Sequence, residues 1–286
     1  MLNNLIFYNN YNTGDLFTAR TFILELISRG IADDYFFAHH HDPYLTSDFI
    51  KYYRPDEFCM DRKSFHKEGD NLFFNTWIGY AYSKYVLPGV VCRLDNFKKL
   101  YNDTLRAAGI DYQLTRKDDE YIPSISQFTV EKENIDNFIS SRDKDRKLVL
   151  LSNGLVYSGQ AINFDLNYII YKLSMKHTNV DFIATARFDY EANNLFYTSD
   201  IIKKSGSDLK EIGYLSLFAD VIIGRSSGPY VYCQLKENYQ NENKTFLSFT
   251  KERGCAHMPM GNVNARLLWS KETNLDVVQR KIEEVL

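Results

Sequence analysis

Apolar residues near the start of the chain fall into two patterns. Leu5-Ile6-Phe7-Tyr8 is an unbroken apolar run of the kind that forms a buried strand. After the polar stretch Asn9–Asp15, residues Leu16, Ala19, Phe22, Ile23, Leu26 and Ile27 recur at helical spacing to about Arg29. Gly30 stands where a glycine closes a helix. The alternation continues with strands at Tyr35–Ala38 and Leu72–Thr76 and an amphipathic helix over Asn96–Ala108 closed by Gly109. Around Thr115–Ser126 the pattern lapses into charged and turn-forming residues, and an interdomain connection is expected there.

Beyond it, strands are expected at Lys147–Ser152, Val180–Ala184, Leu195–Thr198 and Thr245–Phe249, with a helix over Phe164–Lys176. Leu209, Ile212, Leu215 and Phe218 mark a helix that leads into an apolar strand, Asp220–Ile223. That strand breaks at Gly224-Arg225-Ser226-Ser227-Gly228-Pro229, where a Pro-led helix begins. The last helix, roughly Asn274–Leu286, is amphipathic and able to pack back across the first domain. Strands alternating with helices predict an α/β fold with parallel sheets. The reading is two Rossmann-like domains facing a central cleft, with residues 1–122 forming the first and 123–286 the second.

Composition narrows the function classes. A net charge of -3 gives no electrostatic footprint for nucleic acid. Cys59, Cys92, Cys233 and Cys255 form no CxxC pair, so reduced thiols in a cytoplasmic protein are expected. The N-terminal sequence lacks the basic start and long apolar stretch of a signal peptide, and no run approaches a membrane span, so membrane contact is expected to be at most peripheral.

Chemistry concentrates in two loops. The strand–turn–helix at 220–229 gathers free backbone N–H groups and a positive dipole end. Ser226 or Ser227 can cap its helix and Arg225 adds a charge, which makes it a candidate phosphate site. In the first half, Asp15 in Thr13-Gly14-Asp15 has two readings: a helix-capping carboxylate, or a general base that takes a proton from an attacking hydroxyl.

These two stretches carry a resemblance. Phe218-Ala219-Asp220-Val221-Ile222-Ile223-Gly224 followed by Gly228-Pro229 resembles the donor-site segment of heptosyltransferase-like glycosyltransferases, an "ADLVIG" strand and a "GP" turn. Thr13-Gly14-Asp15-Leu16 resembles that family's first-loop "GD" motif, whose Asp is regarded as the acceptor-activating base. The resemblance implies a GT-B architecture, with the acceptor bound by the first domain and a nucleotide-sugar by the second. The family carries an acidic residue before the small residue of the turn and a His after the Pro; this chain has Ser226 and Val231 there, so a heptose donor is not implied.

The function expected is transfer of a sugar from a nucleotide-diphosphate donor to a hydroxyl of a glycan or glycolipid, with inversion and without metal or other cofactor. Asp15 is the base; Asn153, Gly154, Arg187, Arg225, Ser226, Ser227 and Gly228 are the donor-site candidates. Arg187 alternatively lies on the surface. Asn12, Gly14, His39, His40, His41, Asp42 and Trp77 are the acceptor-site candidates. For the three histidines a solvated loop and an acceptor-contacting rim both stand; adjacent imidazoles diverge and cannot all ligate one ion, which disfavours a metal. Trp77 is either a core aromatic or a sugar-stacking ring, and His257 a further candidate near the donor. Asp118-Asp119 falls in the expected connector, which argues against a metal-dependent DxD mechanism. Two alternatives remain: a nucleotide-sugar epimerase or hydrolase on the same fold, and a non-catalytic glycan-binding protein.

Overall fold

A computed structural model describes residues 2–55, 63–77, 93–258 and 263–286; Cys59 and Cys92 lie outside them. The chain divides into two compact units. The first runs to Pro123 and takes back the chain at Met258; the second comprises Ser124–His257 and Val263–Leu286.

The first unit holds β1 (Leu2–Tyr8), α1 (Thr13–Ser28), β2 (Ala32–Ala38), β3 (Lys51–Tyr53), β4 (Phe65–Glu68), β5 (Asn71–Asn75) and α2 (Arg93–Ala107). Its sheet has the order β3-β2-β1-β5-β4, parallel except for β4, which runs antiparallel to β5 at the edge. Alternate residues of β1 face opposite ways: Ile6 and Tyr8 pack with Ala38 and Phe73, while Phe7 meets Phe37 and Phe74 edge-on. Phe22 of α1 stacks on Tyr121 with ring centroids 4.0 Å apart and meets Tyr101 of α2 edge-on. Tyr121 and Ile122 are buried, so the charged stretch read as a connector is part of this unit's packing up to its end. Both long helices end on left-handed glycines, Gly30 (φ 61°) and Gly109 (φ 74°). At the second, Gly109 N–H donates to the Arg106 carbonyl and Ile110 N–H to that of Leu105, the paired bonds that satisfy a helix C-terminus.

The second unit holds α3 (Glu133–Ser141), β6 (Lys147–Ser152), α4 (Leu166–Lys176), β7 (Val180–Ala184), β8 (Leu195–Tyr197), α5 (Thr198–Ile202), α6 (Leu209–Leu215), β9 (Val221–Gly224), α7 (Gly228–Tyr232), α8 (Lys236–Gln240), β10 (Thr245–Phe249), β11 (Arg266–Ser270) and α9 (Leu275–Glu283). The order β8-β7-β6-β9-β10-β11 is wholly parallel. Counted within the unit this is 3-2-1-4-5-6, the doubly wound Rossmann order, and its switch point lies where β6 and β9 pair.

One expectation changes here. The helix marked by Phe218 ends at Leu215, and beyond it the buried Lys244 ammonium donates to the carbonyls of Ser216, Leu217 and Ala219. The last helix buries its apolar stripe in the core of its own unit. Val278 and Ile282 are fully buried in the core of the second sheet, each contributing roughly 1.5–3 kcal/mol, and Glu283 pairs with Lys176 of α4 at 2.9 Å.

Candidate functional site

In an open parallel sheet, ligands bind beyond the carboxyl ends of the strands where the order reverses. In the second unit that point is bounded by Ser152-Asn153-Gly154 after β6 and by Gly224–Ser227 after β9. The two strands close tightly: a side chain on Gly224 would bring its first carbon 2.8 Å from Ser152 Cβ and 2.9 Å from the Tyr230 ring. Ser227 does not cap the helix that follows; its hydroxyl bonds the Ser152 hydroxyl at 2.7 Å and ties the two strand ends. Ser226 does not cap it either, since its hydroxyl donates to Gln160 Oε1 at 2.9 Å. Gly228 opens α7, but this helix has only five residues and a correspondingly short dipole.

Arg225 dominates this region. Its side chain is almost wholly buried, and it clamps three carbonyls: Nη1 donates to Phe164 O at 3.2 Å, and Nη2 to Asn153 O and Gly154 O at 2.7 and 2.9 Å. The guanidinium lies over the Phe164 ring, 5.1 Å from its centroid. Among the described residues no carboxylate pairs with it and its Nε has no hydrogen-bond partner. Burial pulls its pKa down, but a guanidinium stays charged in a protein. A cation held out of water without a counter-charge is costly, and a bound anion offsets that cost. Beside it opens a pocket of about 330 Å³ lined by Asn153, Leu155, Asn163, Phe164, Asp165, Leu166, Asn167 and Arg225.

The other donor-site candidates divide. Asn153 spends its side chain on the fold: Nδ2 donates to Asn167 Oδ1 and Ala186 O, and Oδ1 accepts from Ala186 N–H. Gly154 contributes the carbonyl that Arg225 holds. Arg187 is exposed, paired with Asp200 and laid over the Tyr197 ring, so its charge is already engaged. His257 is buried between Tyr230 and the Leu268 carbonyl, and burial lowers its pKa to about 4, which makes it a neutral core residue.

The first unit's switch point lies where β1 pairs with β5. Asn9 Nδ2 donates to Thr76 Oγ1, and Thr76 N–H donates to the Tyr8 carbonyl. The Thr13-Gly14-Asp15 stretch is not a loop but the first turn of α1, and the cap position falls on exposed Asn12, whose side chain makes no capping bond. Asp15 is 7% exposed and sits where the helix dipole favours a carboxylate. Tyr11 gathers the neighbouring candidates. It stacks on Trp77 with centroids 3.3 Å apart, and its carbonyl accepts from His41 Nε2 at 2.5 Å. Trp77 is therefore neither a core aromatic nor a bare platform. Its half-buried ring is already stacked on Tyr11, a role no spacing in the sequence announces.

The three histidines do not share one environment, which corrects both a common solvated loop and a common rim. His39 is fully buried and bonded to Thr46 Oγ1 at 2.8 Å; burial, then the neighbouring His41, lowers its pKa to about 4. His40 is exposed, and His41 is half-buried on Tyr11. Asp42 caps the turn at Pro43–Leu45 by accepting from Tyr44 N–H. Among the described residues no group of three His, Cys, Asp or Glu side chains is arranged to hold a metal ion. No helix among them is long and apolar enough to cross a membrane.

Comparison with known proteins fixes the architecture. No protein-family model matches the chain, and no curated protein matches it in sequence. Solved structures do match along nearly the whole chain. It is similar to the E. coli ADP-heptose lipopolysaccharide heptosyltransferase II (TM-score 0.50, 10% identity, 99% of this chain and 98% of that one). It is likewise similar to an E. coli heptosyltransferase solved with ADP (0.50, 7%, 99% and 100%). A third similar structure is a putative UDP-N-acetylglucosamine 2-epimerase from Listeria monocytogenes (0.50, 7%, 100% and 88%). At such identities the likeness shows the fold: a GT-B-type pair of Rossmann-like units.

Proposed function

We propose that the chain is a glycosyltransferase that takes a sugar from a nucleoside-diphosphate donor and passes it to a hydroxyl of a glycan or glycolipid. The observation that carries this reading is Arg225: a buried cation without a carboxylate among the described residues, at the switch point of the Rossmann-like unit in a GT-B fold. Its unused Nε–H and the pocket beside it suit the negative oxygens of a diphosphate. As the glycosidic bond breaks, the leaving diphosphate gains charge, and a fixed cation stabilises that gain without reorganising. The first unit supplies the base in this reading. Asp15, in the first turn of α1, accepts the acceptor hydroxyl's proton while the oxygen attacks the anomeric carbon. The C–O bond to the sugar forms as the bond to the diphosphate breaks, which inverts that centre. One structural neighbour named as an ADP-heptose heptosyltransferase and another heptosyltransferase solved with ADP support a nucleotide-sugar donor.

The test is a screen of nucleotide-sugars against wild type and Asp15→Asn, with turnover and calorimetric binding read together. The expected result is nucleotide binding by both proteins and a fall in kcat of about 10²–10⁴-fold in the variant. Wild-type turnover by Asp15→Asn removes it as the base. Donor consumption without any acceptor favours the epimerase or hydrolase reading that the third structural neighbour keeps open.

A further inference from the structure

The segment 153–164 joins β6 to α4 and is built as a closed loop. Asn163 and Val156 bond reciprocally across its neck: Val156 N–H donates to Asn163 Oδ1 at 2.9 Å, and Asn163 Nδ2 to the Val156 carbonyl at 3.0 Å. Val156 and Ala161 are buried beneath it, and Gly159 makes its turn at φ 70°. The tip is pinned to the phosphate-binding turn by Gln160, which accepts from Ser226 Oγ, and to the end of β10 by the Lys251 N–H on the Gln160 carbonyl. A loop tied at the neck and tip holds its remaining side chains in fixed places.

Of those side chains, Leu155, Tyr157 and Ile162 are apolar and face solvent, with Ser158 exposed beside them. Tyr157 is 89% exposed, beyond any large hydrophobic residue described, with Leu155 at 60% and Ile162 at 50%. Water is a poor environment for them, and nothing in the loop's own architecture uses them. Leu155 also lines the pocket that Arg225 closes, so the base of the loop borders that pocket two residues before Tyr157.

We propose that Tyr157 is the stacking platform for the nucleobase of the donor, with Leu155 forming the apolar rim beneath it. The inference rests on the diphosphate reading above and names the part of the ligand that leaves the pocket on this side. The loop's amide side chains serve to hold it, Asn163 at the neck and the Gln160 oxygen on Ser226. A base needs a flat apolar or π surface, which is what Tyr157 offers. Stacking of this kind is tolerant of base identity. It therefore strengthens binding of nucleoside diphosphates in general and leaves the choice among bases to other contacts.

The experiment is calorimetric titration of the whole chain with ADP, UDP and inorganic pyrophosphate, for wild type, Tyr157→Ala and Tyr157→Phe. An 89%-exposed side chain is removed without disturbing the fold, which an unchanged Tm verifies. Wild type should bind both nucleotides more tightly than pyrophosphate. Tyr157→Ala should lose about tenfold, or ~1.4 kcal/mol, on ADP and UDP and nothing on pyrophosphate, and Tyr157→Phe should behave as wild type. Unchanged nucleotide affinity in Tyr157→Ala overturns the platform, as does an equal loss on pyrophosphate. Wild type that binds pyrophosphate as tightly as nucleotides overturns it too and leaves the diphosphate pocket standing. Wild type that binds none of the three overturns both.

Discussion

The two units bury different ionisable groups beyond the carboxyl ends of their strands. In the first unit His39 is buried after β2; in the second Arg225 is buried after β9. Burial disfavours charge in both places, and the side chains answer differently. An imidazole can shed its proton, and His39 does, with its pKa lowered to about 4. A guanidinium cannot, so Arg225 keeps its charge and clamps carbonyls. The buried end of the second sheet therefore keeps a standing positive charge.

Replacing Arg225 should break the contrast most severely. Arg225→Met strands the three carbonyls and removes the cation. At ~1–3 kcal/mol for each buried group left unmade, unfolding in urea should show a loss of about 3 kcal/mol or more. Nucleotide affinity should fall by about 100-fold, and Arg225→Lys should recover only part of either quantity because an ammonium lacks the planar fork. Full nucleotide affinity in Arg225→Met means that the second unit's switch point is not an anion site.

Acid sharpens the same comparison at the other end. Because the folded pKa of His39 lies below its ordinary value of 6.5, the unfolded chain takes up a proton that the native state refuses. The stability tied to the neutral ring is present above about pH 6.5 and is lost as pH falls toward 4; at pH 5 the loss is about 2 kcal/mol. Urea unfolding of wild type and His39→Gln at about pH 7.5 and pH 5 should show the variant losing less between the two conditions, by about that amount. Parallel curves would mean that His39 takes up its proton within the fold. His257 acts in the same direction in the second unit.

The smallest effect is expected at Arg187, whose charge is spent on Asp200 at the surface. Arg187→Ala should cost under about 1 kcal/mol in thermal unfolding. Its nucleotide affinity should stay within about threefold of wild type, under the tenfold that ~1.4 kcal/mol represents. A larger drop in affinity would give the donor phosphate a second cation.

Much of the fold was legible along the chain because local pattern and tertiary environment agree there. Lys147–Ser152, Val180–Ala184 and Thr245–Phe249 are mostly apolar runs, and the structure keeps each as a strand with those bounds. Gly109 announced the end of α2 because a left-handed residue is needed there. The edge strands β3 and β4 gave no such signal: their residues are half-buried or exposed, and what makes them strands is pairing with a distant neighbour. At the candidate site, Gly224–Pro229 could be found from small residues after an apolar strand. The partners of those residues could not. Ser226 and Ser227 looked like caps because capping is their local use, and long-range hydroxyl bonds to Gln160 and Ser152 took them instead.

By itself the sequence determined the alternation of strand and helix, hence two layered α/β units, and the place where a strand gives way to a turn rich in N–H groups. Periodicity and small residues encode both, and they act over a few positions. Tertiary structure alone decided that His39 is neutral while His40 beside it is exposed, that Arg225 is buried on three carbonyls, and that Tyr157 stands clear on a pinned loop. Charge state and exposure depend on which distant groups exclude water from a side chain, and no local pattern carries that information.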